Sequence, residues 1–170
     1  MPPLSAWHDY FMMIGGAAAT LIGAMFVVVS IGISFLTPER TAGTRTFLSS
    51  TVVSLATALF GALVTMVPGL DWWRFGAIVG SVGLIGLGFA LHIAVNFRRH
   101  PGTVVSDWLW YAIVPPIGYL LFVAAAAAGL QAAPLSMELL AIALALMLAT
   151  GIRNAWDILV FFATRSPPSG

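Results

Sequence analysis

Neither cysteine nor lysine occurs anywhere in the chain. The absence of cysteine removes disulfides, thiolate metal sites, iron–sulfur clusters and a thiol nucleophile together. The absence of lysine leaves no polybasic tract to grip nucleic acid or act as a switch on anionic lipid, so nucleic acid is not an expected partner. Charge of either sign is scarce: Asp, Glu, Lys and Arg make up 8% of the 170 residues, whereas ordinary soluble domains carry about 25%. What fills the chain instead is apolar, with 60% hydrophobic residues and a mean hydropathy of +1.00. That leaves too little polar surface to clothe a water-soluble globule, and the long apolar stretches leave no room for a separate soluble domain.

A bilayer core about 30 Å thick takes about 20 helical residues to cross. Apolar runs of that length, broken by Pro, Gly and polar residues, predict five spans at about 9–36, 45–67, 72–97, 107–129 and 136–164. Segment 1–10 lacks the basic region of a signal peptide, and the apolar run after it is longer than a signal core, so it reads as the start of a retained first span. The first span stops at Thr37-Pro38-Glu39-Arg40, the second at Pro68-Gly69 and the third at Arg98-Arg99-His100-Pro101-Gly102. Asp107 and Ser136 are the expected caps of the fourth and fifth. Pro115-Pro116 lies inside the fourth, removes two backbone donors and predicts a kink. The runs are too long and continuous for β-barrel strands. The expected fold is therefore an all-α integral membrane bundle of five transmembrane helices, forming a single domain.

Orientation follows from arginine. Arg40, Arg45, Arg98, Arg99 and Arg165 gather on one side and Arg74 alone on the other, which predicts the N-terminus outside and the C-terminus cytoplasmic. Trp7, Tyr10, Trp72 and Trp73 then mark the outer interface, and Trp108, Trp110 and Tyr111 the inner one. Small residues at four-residue spacing, Gly15, Ala19 and Gly23 on the first helix and Gly76 and Gly80 on the third, predict close helix packing within one protomer or between protomers. An odd number of spans without visible self-similarity speaks against an inverted-repeat transporter.

The most informative segment is Thr150-Gly151-Ile152-Arg153-Asn154-Ala155-Trp156-Asp157, which sets two opposite charges inside an apolar span. A charged side chain near the middle of a span costs on the order of 2.5–3.5 kcal/mol on insertion scales, so neither is expected to face lipid. Arg153 and Asp157 are four residues apart, within reach of an intrahelical ion pair, and Asn154 and Thr150 share their stripe. His92, Asn96, Tyr111, Ser30, Ser34, Ser50 and Ser54 fall in the same inner half of the bilayer, so a polar network centred on Arg153 and Asp157 is expected. Two readings of it stay open: glue that fixes helix register, and a path for a proton or ion or a site for an anionic headgroup or small solute.

His92 has no second well-placed ligand, and Ser54 has no general base beside it. Neither metal, cofactor nor enzymatic activity is therefore expected. Trp7-His8-Asp9-Tyr10-Phe11, leading into Gly15-Gly16-Ala17-Ala18-Ala19, and Gly151-Ile152-Arg153-Asn154-Ala155-Trp156-Asp157 resemble segments of small uncharacterised bacterial inner-membrane proteins. The resemblance implies a bacterial plasma membrane and no particular activity. The expected function is a homo-oligomeric pore or translocation path for a small ion or proton; the alternative is a non-catalytic accessory subunit of a larger membrane complex.

Overall fold

The computed structural model describes residues 4–32, 41–97 and 108–163. Over these residues the chain is all-α, with five helices. They are α1 (Leu4–Gly32), α2 (Thr41–Thr65), α3 (Trp72–Phe97), a fourth helix that opens with a π-helical turn (Leu109–Ile113) and runs on as α4 (Val114–Leu130), and α5 (Leu135–Ala163). Ser34, Arg40, Arg98, Arg99, His100, Asp107 and Arg165 lie outside the described residues, as do the side chains of Arg45 and Asn96.

Four stretches, Ser5–Ser30, Trp72–Val95, Leu109–Leu130 and Leu135–Val160, are long and apolar enough to cross a membrane. Met13, Phe26, Trp73, Leu84 and Ile85 project outward from them. Large apolar side chains on the outside of long apolar helices mark a multi-pass membrane protein in contact with lipid. In the second helix, 25 residues long, the side chains are described from Ser49 on, and Ser49–Thr65 is apolar.

The helices begin and end for local reasons. Gly69, at φ +69°, turns the chain between α2 and α3, a conformation open to glycine without a Cβ penalty. Asp71 then caps α3, its Oδ1 accepting the Arg74 backbone N–H at 2.7 Å. Two expectations need correction. First, α1 starts at Leu4, so Trp7-His8-Asp9-Tyr10 is already helical, and the Tyr10 hydroxyl donates to the Ala141 carbonyl of α5 at 2.9 Å. Second, Ser136 does not cap α5. That helix starts one residue earlier, and the Ser136 Oγ is buried without a hydrogen-bond partner among the described residues. Pro115 and Pro116 lie inside the fourth helix, directly after its π-helical turn, and remove two backbone donors there. The disturbance is taken up one turn earlier, where the Val114 N–H reaches back five residues to the Leu109 carbonyl.

α5 is the centre of the bundle: half of its apolar window is buried, against 17% for α1 and for α3. It packs on α2 and α4, with α1 lying across α2 and α5, and α3 covering the far side of α4. Phe75, Tyr119, Phe122, Leu140, Leu144 and Met147 fill the core between them. Because lipid provides no hydrophobic drive between helices, close approach at small residues holds such a bundle together. A Cβ on Gly76 would come within 2.7 Å of Leu130, and one on Gly80 within 3.2 Å of Ala126; one on Gly83 would come within 2.9 Å of the Val123 backbone nitrogen. The spacing 76, 80, 83 returns to the same helical face, which keeps α3 against α4.

The first-helix stripe behaves differently. A Cβ on Gly15 would sit 3.2 Å from Ala62, whereas Gly23 has nothing within 4 Å and Ala19 is exposed. Each four-residue step advances about 40° around the helix, so by Gly23 the stripe has turned away from α2. The close contacts that hold α5 come from glycines outside both stripes: Gly61 faces Leu144, Gly118 faces Met147 and Gly151 faces Leu55.

Candidate functional site

The polar segment of α5 divides between an inner and an outer edge. Thr150 and Asn154 are fully buried. The Thr150 hydroxyl donates back to the Leu146 carbonyl at 2.8 Å, a bond that removes its donor from the surrounding apolar core. Arg153 and Asp157 form an ion pair between Nη1 and Oδ1 within one turn of helix. Their side chains remain 33% and 34% exposed. Next to them Ile152 and Trp156 point outward. The pair is therefore partly open to whatever surrounds this protomer.

The other residues expected in one network are distributed around two places. His92 is exposed on α3, a helix that packs mainly on the fourth helix. Ser30 is exposed on α1 and donates to the Phe26 carbonyl at 2.7 Å. Ser50, Ser54 and Tyr111 are buried and come together on the opposite side of α2 from α1. There, with Tyr119 and Pro115, they line a cavity of about 10 Å³. The Ser54 hydroxyl donates to the Ser50 carbonyl at 3.0 Å, which leaves its oxygen lone pairs free to accept.

Tyr119 and Thr57 complete this second cluster, and neither was among the residues singled out from sequence. Their hydroxyl oxygens are 3.1 Å apart in a buried hydrogen bond, and Thr57 also donates to the Val53 carbonyl at 2.8 Å. The signal for them was periodic. Tyr111, Pro115 and Tyr119 recur every four residues on one face, and Ser50, Ser54 and Thr57 do so at spacings of four and three.

Asn154 is the outlier in this accounting. It is 0% exposed, yet neither its Nδ2 nor its Oδ1 has a hydrogen-bond partner among the described residues. A buried unsatisfied polar group costs about 1–3 kcal/mol, so an amide left this way is a point of high local energy. The chemistry on hand is thus one ion pair, one amide and a set of hydroxyls. Among the described residues, no three His, Asp or Glu side chains gather in a way that would hold a metal ion. Comparison with family models, with curated proteins and with solved structures finds no match for this chain.

Proposed function

We propose that the protein is a bacterial inner-membrane protein of five spans that assembles with copies of itself, and that the outer edge of α5 contributes to a translocation path for a small ion or proton between them. The observation that carries this reading is the partial exposure of the Arg153–Asp157 pair on the most central helix. A pair that is one-third open at membrane depth is poorly sheltered by its own protomer, and a neighbouring copy or a water-filled path would relieve the cost. A path through one protomer is disfavoured by the packing, because core side chains fill the space between helices and the polar cavity measures only about 10 Å³.

Packing also favours α2 as the fifth span. It runs against both α1 and α5, so if those two cross the bilayer, α2, 25 residues long, is held within it. The arginine distribution, with Arg74 alone on one side, supports an external N-terminus and a cytoplasmic C-terminus.

One observation favours the second reading, a non-catalytic accessory subunit. Gly16 and Gly23 on α1 have nothing within 4 Å and Ala19 is exposed, which leaves a small-residue face open to another membrane helix. Purified protein in liposomes distinguishes the two. The translocation reading expects multimers by native mass measurement and proton or potassium flux above that of empty vesicles, changed several-fold by Asp157→Asn. Flux equal to that of empty vesicles, together with co-purifying subunits of other sequence, would remove it in favour of the accessory role.

A further inference from the structure

α1 and α2 part as they run on from their closest contact. A Cβ on Gly15 would stand 3.2 Å from Ala62, so the two backbones nearly touch there. By Met25, about 15 Å further along the axis, they have separated around a groove of about 370 Å³, walled chiefly by Ile22, Met25, Phe26 and Val29 of α1 and by Ser49 and Val52 of α2. Met25, at its floor, belongs as well to the core cluster of Leu55, Ala155 and Ile158. Outward the groove is open, with Phe26 exposed at its rim.

The size and lining of the groove select its occupant. Water is not suited to it, since a cavity of about 150 Å³ lined by Leu, Ile and Phe stays dry. A helix does not fit: from Ile22 to Val29 the groove runs about 10 Å, and a helix about 10 Å across would fill roughly 800 Å³ over that length. A single hydrocarbon chain does. The four α1 residues belong to Ser5–Ser30, a stretch long and apolar enough to cross a membrane, so acyl chains are the apolar molecules at hand.

Charge indicates the other end of that molecule. Ser49, the one polar side chain of the lining, stands at the end of the groove nearer the start of α2. Arg45 precedes it by four residues, one turn along the same face of the helix, on the side that the arginine distribution assigns to the cytoplasm. An apolar groove that ends below a basic residue complements an amphiphile with an alkyl tail and a negative head. We propose that the α1–α2 groove is a binding site for an anionic phospholipid of the cytoplasmic leaflet, one acyl chain lying along the groove and the headgroup at the level of Arg45. This site rests on the reading of α2 as a span that begins at the cytoplasmic face, and is independent of translocation along α5.

The full chain, reconstituted in phosphatidylcholine bilayers, is labelled with a trace of phosphatidylglycerol or phosphatidylcholine that carries a photoreactive acyl chain, and the adducts are mapped by peptide. Relative to Ile113 and Ile117, exposed on the fourth helix, the groove segments 22–29 and 49–53 are expected to favour phosphatidylglycerol over phosphatidylcholine by about fivefold, the preference that one basic residue near the surface confers. Arg45→Gln is expected to remove most of that preference. Val52→Trp, which fills the groove and leaves Arg45 in place, is expected to remove the groove adducts, with labelling at Ile113 and Ile117 unchanged in both variants. Groove labelling that is equal for the two lipids, or a preference untouched by Arg45→Gln, would overturn the proposal. No groove labelling by either lipid would overturn it too, and a Val52→Cys variant then separates the causes: a disulfide-linked dimer gives the groove to a second copy, and its absence removes α2 from the bilayer.

Discussion

Gly86→Ala is expected to lower the midpoint of thermal unfolding by roughly 5–10 °C, the largest effect of any single methyl group added to this protein. Gly86 is buried on α3, and a Cβ there would fall inside the van der Waals envelope of the Tyr119 ring. A ring cannot bend away as the end of a leucine or methionine can. Tyr119 is 2% exposed and packed beside Phe122, and its hydroxyl is hydrogen-bonded to Thr57. Moving it therefore costs about 1–3 kcal/mol for overpacking and about 0.5–1.5 kcal/mol for the hydrogen bond. Gly88, two residues on, has nothing within 4 Å. Gly88→Ala is expected to be neutral or slightly stabilising, since alanine exceeds glycine in helices by about 0.5–1 kcal/mol. Tyr119→Leu in the Gly86→Ala background restores room for the methyl group. A double-mutant cycle measured by thermal unfolding in detergent should show strong coupling between the two positions. Equal midpoints for Gly86→Ala and Gly88→Ala would mean that α3 does not pack on α4 in this register.

The second large effect concerns the charges on α5. Asp157→Asn removes the carboxylate that faces the Arg153 guanidinium. For a pair sealed in a protein interior, losing one partner costs about 3–5 kcal/mol, and for a fully exposed surface pair about 0–1 kcal/mol. With both side chains about one-third exposed, an intermediate loss of about 2 kcal/mol is expected. The decisive comparison is with Arg153→Gln combined with Asp157→Asn. If the pair lies at membrane depth, the double change is less destabilising than Asp157→Asn alone, because it no longer leaves a single charge to be sheltered. If that end of α5 is in water, the single and double variants differ by less than about 0.5 kcal/mol.

Much of this architecture was legible in the sequence. Apolar runs bounded by proline, glycine and charge located the helices, and the third run, at 72–97, is helical throughout. The intrahelical reach of Arg153 to Asp157 followed from their four-residue spacing alone. Which polar residues meet was harder to read, because it depends on the order of helices around the bundle. Depth in the membrane placed His92 and Tyr111 together with Arg153, but depth says nothing about azimuth. Tyr111 lines a cavity with Ser50 and Ser54, away from the exposed edge that carries Arg153. The small-residue stripes show the same limit: Gly76 and Gly80 face α4, whereas Gly23 turns away from its neighbour. The diproline was visible as a disturbance, but spacing alone did not give its form, a π turn over Leu109–Ile113.

The absence of cysteine makes a clean test of the central claim, that copies of the protein meet along the outer edge of α5. Single cysteines at Ile152 and Trp156, 48% and 62% exposed beside the ion pair, are compared with one at Ile85, 75% exposed on the outer face of α3. Under mild oxidation in native membranes, Ile152→Cys and Trp156→Cys are expected to give a covalent dimer in high yield and Ile85→Cys little or none. No dimer from either α5 position, or the same yield from α3, would contradict a shared α5 face and the translocation path proposed along it.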